Sequence, residues 1–198
     1  MESAQTATDD RAAASDHDAA RLGTRVAITV ALLATFLGVC KVKDDNIVQG
    51  MQQAQADKID HWSFYQARNI REEIANATAT QLRLSAAVAP AVQRAEYAAA
   101  IAKYETLVQD QKDKKEVVRQ QADDDQKTYD ALNYRDDQFD LSDALCAIAI
   151  SMLAVTILTR KRWLYWVALI PTGLGVMMGL AGLLGWHIHS DLLARLLS

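Results

Sequence analysis

Three groups of residues have types and spacings that suggest chemistry. His187, His189 and Asp191 place three possible metal ligands within five residues. Their i, i+2 spacing sends the two imidazoles to different sides of a helix, whereas a zinc site needs ligands that converge. His61 and His17 lie far away in the chain, so no further ligand is evident and the group reads as polar residues at an interface. Asp136, Asp137, Asp140 and Asp143 crowd four carboxylates together, which suits either pairing with lysines or attraction of cations. Trp62, Tyr65 and Gln66 share one side of a helix and combine a large apolar area with polar tips. The expectation is a packing anchor; the sharper alternative is a ligand patch beside Gln111 and Lys115. Nothing resembles a phosphate loop, a nucleophile elbow, a zinc-protease helix or a paired-cysteine motif. The runs Glu72-Glu73 and Asp123-Asp124-Asp125 read as solvated faces. The chain is expected to be no enzyme and to carry no cofactor.

The elements that hold these residues are organised around Arg160-Lys161-Arg162. Ala144 to Thr159 carries no charge in 16 residues, and Leu164 to Trp186 none in 23. About 20 apolar residues cross the hydrocarbon of a bilayer. The two runs therefore predict an antiparallel pair of transmembrane helices, 141–159 and 163–186, joined by the basic turn 160–162. Val26 to Cys40 is a shorter apolar run between Arg25 and Lys41, and with snorkelling ends it predicts a first span over 22–43. Residues 1–21, rich in Ala, Ser, Thr and Asp, are expected to form a disordered tail, and 187–198 a short C-terminal one. The three adjacent positive charges of the turn should face the cytoplasm. That puts the N-terminus inside and the segment 44–140 outside, which is periplasmic in a bacterial inner membrane.

Between residues 44 and 140 the only glycine is Gly50 and the only proline Pro90. Pro90 ends a helix before it, so the segment predicts two long arms folding back over residues 86–92. The second arm has a strict 4-3 repeat: Tyr97, Ile101, Tyr104, Val108, Gln111, Lys115, Val118, Ala122, Asp125, Tyr129, Leu132, Asp136 and Phe139. Nine of these thirteen are apolar, a seam of coiled-coil type. The first arm offers Met51, Gln55, Ile59, Trp62, Gln66, Ile70, Ile74, Ala77, Gln81, Leu84 and Val88, spaced nearer to an 11-residue repeat. A fold-back at Pro90 brings together positions whose numbers sum to about 180. Lys41 and Lys43 should then lie level with Asp136, Asp137 and Asp140 at the hairpin base. The fold expected is an all-α membrane protein, with three spans and a long antiparallel helical hairpin between the first and second.

Gly175, Gly179 and Gly182 form a small-residue face in the last span, with Ala147 and Ser151 as its expected match in the second. Cys40 and Cys146 fall in or beside apolar runs and read as small buried hydrophobes. Net charge is -4, which argues against nucleic acid as a partner.

The stretch His61-Trp62-Ser63-Phe64-Tyr65-Gln66-Ala67-Arg68-Asn69-Ile70-Arg71 resembles the Trp-x-x-Tyr-Gln-Ala-Lys-x-Ile-Lys signature of a bacterial membrane family, domain of unknown function 4337. Asp44 to Gln49 and Gln53 to Ala56 are similar to the stretch that precedes that signature. Arg68 and Arg71 stand where the family usually has Lys, with the charge kept. The resemblance implies the layout of one span, a helical middle and two spans. It marks Trp62, Tyr65, Gln66 and Ala67 and implies no activity. The functional expectation is a non-enzymatic membrane scaffold or assembly protein. Its partners would be the lipid bilayer, further copies of the chain, and a protein docked at the apolar tip Ala86 to Val92. The alternative is an oligomeric pore or transport-accessory subunit with an acidic outer mouth.

Overall fold

The computed structural model describes residues 2–186, with side chains from residue 17 onward. All its regular elements are helices: α1 (Glu2–Val88), a 3-10 turn (Ala91–Gln93), α2 (Arg94–Thr159) and α3 (Arg162–Leu184). The first departure from expectation is at the start, because α1 takes in residues 2–21. This stretch has seven alanines and neither Gly nor Pro. Alanine is the best helix former, so local propensity makes helix where low hydrophobicity suggested a loose tail. The expected tail 187–198, with His187, His189 and Asp191, lies outside the described residues. The chain divides into two compact units, one of residues up to Val48 with those from Leu132 onward, the other Gln49–Ala131.

In the first unit, α1, α2 and α3 meet in a core of Val26, Leu33, Cys146, Ala149, Leu153 and Ala168. Cys40 and Cys146 are buried and free. The glycines of α3 form hollows that receive larger side chains. A Cβ on Gly175 would meet Cys146 Sγ at 2.7 Å, one on Gly179 would meet Phe36 Cζ at 2.6 Å and Ser142 Oγ at 2.7 Å, and one on Gly182 would meet the Phe139 ring at 3.0 Å. Ser142 Oγ donates to Gly175 O at 2.8 Å. This corrects the expected match. Ala147 and Ser151 are exposed, and Ser151 bonds back to Ala147 O on its own helix. A small face seeks volume to fill it, so rings and a thiol occupy the hollows. The glycine face is thereby covered within one chain and is not left open to another subunit.

The α3 C-terminus is closed from α2. Gly185 takes the left-handed conformation, φ 68°, and Trp186 N–H donates to Ala181 O at 2.9 Å. The Arg135 guanidinium donates to Gly182 O at 2.9 Å, and Gln138 to Trp186 O at 2.8 Å. Carbonyls that the helix itself leaves unpaired are thus satisfied.

In the second unit the two arms run antiparallel after a turn in which Pro90 has φ -58° and ψ 150°. The α2 seam faces inward, with Gln111 and Ala122 buried and its other members in this unit half-buried. The α1 seam is a different one from that expected. Its inward residues are Ala54, Lys58, His61, Tyr65, Arg68, Glu72, Ala75, Ala79, Leu82 and Ala86, also at 4-3 spacing. The expected stripe is exposed at every position from Gln55 to Val88. The physical reason is complementarity. The α2 seam supplies Tyr, Ile and Val, so the facing helix approaches closely through alanines. The polar positions between them find partners: Lys58 with Gln126, His61 with Asp125 at 2.6 Å and Arg68 with Gln111 at 3.1 Å.

Candidate functional site

The site with unusual chemistry is the carboxylate cluster in the first unit. Helix spacing puts Asp136 and Asp140 one turn apart on α2, and α1 brings Asp44 to them. Asp44 is only 5% exposed. It sits at 4-3 spacing with Leu33, Leu37, Cys40 and Ile47, the buried or half-buried stripe of α1 in this unit. Its Oδ2 accepts from Lys41 Nζ at 2.8 Å. Its Oδ1 is buried and has no donor.

As carboxylates, Asp44 and Asp136 are both acceptors and can bond only if one holds a proton. Asp136 does so readily: its pKa is pushed up to about 6, by burial first, then by the hydrogen bond with Asp44 and the charges on Asp140, Asp44 and Asp137. Burial also raises Asp140, helped by the charges of Asp44 and Asp137 and opposed by Lys41. Beside them is a cavity of about 30 Å³ lined by Leu37, Cys40, Lys41, Asp44, Phe139, Asp140 and Asp143, room for about one water. The arrangement can hold a shared proton. Among the described residues no three His, Cys, Asp or Glu side chains are placed to bind a metal ion.

At the hairpin base Lys41 lies level with Asp140, as expected, and its charge acts on that carboxyl. Its ion pairs run along its own helix, to Asp44 and to Asp45 at 3.5 Å. Lys43 and Asp137 are exposed. The residue that enters the cluster is Asp44, which charge counting passed over. The 4-3 spacing running on from Leu33 was the signal that could have found it.

The other marked residues lie elsewhere. In the second unit Trp62 stands edge-on to Tyr65, centroids 5.3 Å apart, and Lys115 Nζ is 5.8 Å from the centre of the Tyr65 ring. Lys115 also donates to Asn69 Oδ1 at 2.9 Å and stands 2.5 Å from Glu72 Oε2, a charge contact without hydrogen-bond alignment. Tyr65 and Ala67 are thus half-buried beside a polar layer, while Trp62 and Gln66 face outward. In the first unit Arg160 adopts φ 54°, Lys161 caps α3 and Arg162 begins it.

These features define an all-helical protein whose three helices are each long and apolar enough to cross a membrane. Residues 22–185 match the family model described as domain of unknown function DUF4337, and the chain belongs to that family. Comparisons with curated proteins and with solved structures give no match.

Proposed function

We propose that this is a multi-pass membrane scaffold that assembles with further copies of itself through the outward stripe of α1 in the hairpin unit. One observation carries the reading. Ile59, Ile70, Ile74, Leu84 and Val88 are 56%, 58%, 59%, 69% and 87% exposed, on a stripe that has no charge from Gln55 to Val88. Exposed apolar residues repeated along one uncharged helix face mark an interaction face. A chargeless stripe is also its own complement, as a two-fold interface between identical chains requires. Its period near 3.7, close to an 11-residue repeat, suits helices that wind with a gentle right-handed supercoil.

In this reading the three apolar helices span a bacterial inner membrane, the turn Arg160-Lys161-Arg162 lies in the cytoplasm and the hairpin is periplasmic. The protein performs no catalysis, and the exposed Val88 and Val92 at the tip offer a second docking point. The pore alternative gains less support, because Asp44 of the acid cluster is buried against its own chain and paired with Lys41.

The test is the subunit count of the full chain in mild detergent, with disulfide trapping in membranes. Wild type is expected above monomer mass at micromolar concentration, I70C to cross-link between chains, and Ile70→Asp with Ile74→Asp to lower the mass. A monomeric wild type without I70C cross-links would sink the self-assembly reading.

A further inference from the structure

A second cavity in the first unit, of about 170 Å³, lies where α1 meets the start of α3. Its lining includes Arg21 and Arg25, one turn apart on α1, with Arg162, Tyr165 and Trp166 of α3. Asp18 is the one acid among the lining residues, and it is engaged by Arg162 at 2.5 Å. The lining therefore carries a net charge of +2, from three Arg and one Asp. Two of its lining residues are fixed by packing and contact: Leu22 is 6% exposed, and the Tyr165 hydroxyl is 3.3 Å from Thr29 Oγ1. The arginines and Trp166 are exposed.

The volume is below the roughly 300 Å³ at which sites for drug-sized ligands begin, so the occupant is a small group. Guanidinium forks match the oxygens of phosphate in a way that a lone ammonium does not. Tyrosine and tryptophan rings at one end of an apolar helix mark headgroup depth, and basic pockets between spans on the cytoplasmic side take anionic headgroups.

We infer that this cavity is a binding site for a phosphate-bearing anion, seated between Arg21, Arg25 and Arg162 with Trp166 at its rim. The phosphate belongs either to an anionic lipid headgroup or to a small soluble phosphate. The lipid source rests on the membrane-spanning reading above; the binding chemistry does not.

The experiment uses the full chain in detergent, with phosphatidylglycerol, phosphatidylcholine and inorganic phosphate as probes and native mass spectrometry as readout. Wild type is expected to keep one phosphatidylglycerol per chain at least tenfold more tightly than phosphatidylcholine, or to bind inorganic phosphate in the lipid-free state. Retention that inorganic phosphate does not displace identifies the lipid source; displacement identifies the soluble one. Arg21→Gln with Arg25→Gln should lower the preferred probe's affinity at least tenfold, and Arg21→Lys with Arg25→Lys should lower it less. Equal retention of the two lipids by wild type, with no phosphate bound, overturns the inference without any variant. So does unchanged selectivity in a folded double-Gln variant. A chain that retains no lipid at all but binds phosphate identifies the soluble source and leaves the site in place.

Discussion

Asp136→Asn should stabilise the protein at pH 8 and leave it unchanged at pH 4. The Asp136 carboxyl is raised from 3.8 to about 6. Between those values the folded chain keeps a proton that the unfolded chain has released. Stability therefore falls as pH rises through that window, and the full penalty is present above about pH 6. At about 1.36 kcal/mol per unit the whole shift corresponds to about 3 kcal/mol. Asp136 is only half-buried, and solvent screening on its open side reduces this to about 1–2 kcal/mol. Asparagine never ionises and keeps a donor for Asp44. In a chain of this size 1 kcal/mol moves the melting temperature by about 2–4 °C. Thermal unfolding of the detergent-solubilised variant should thus show a gain of about 2–8 °C at pH 8 and none at pH 4. Asp137→Asn, at an exposed position, should gain less. A loss at pH 8, or an equal gain at both pH values, would refute the shared-proton account.

Two further outcomes test the first unit and the topology. Gly179→Ala puts a methyl within 2.6 Å of Phe36 Cζ and 2.7 Å of Ser142 Oγ. Overpacking should lower stability by about 1–3 kcal/mol, read as a lower melting temperature with the subunit count unchanged; a drop in subunit count at unchanged melting temperature would show the glycine face working between chains. Val92 is 88% exposed, and V92C should react with a membrane-impermeant thiol reagent in intact cells once the outer membrane is permeabilised; reaction only after lysis would place the hairpin in the cytoplasm.

The α2 seam was legible because its large apolar residues recur at strict 4-3 spacing. The α1 seam was not, because apolarity is a poor guide where a helix packs by closeness. Ala54, Ala75 and Ala79 contribute little hydrophobicity yet are buried, while Ile59, Ile70 and Ile74 on the other side are exposed. Asp44 escaped for a related reason: a charge is presumed to face solvent, and only the spacing of its neighbours says otherwise. At the glycine face the hollows could be read from the sequence, but their occupants could not. Phe36, Phe139, Ser142 and Cys146 come from two other helices, and which residues fill a hollow depends on a register that no local pattern encodes.

Four cross-arm contacts of the hairpin unit are nested, and nesting sets an order of assembly. Arg83 and Glu105 are separated by 22 residues of chain, Arg68 and Gln111 by 43, His61 and Asp125 by 64, and Lys58 and Gln126 by 68. Closing the widest loop first would cost about 1 kcal/mol more in chain entropy than closing the narrowest. Once Arg83 meets Glu105, each later contact needs only a short extension of arms already held together. The hairpin can therefore zip outward from Pro90, and the chain can begin to do so as soon as Glu105 has been synthesised, before either of the two later apolar helices exists.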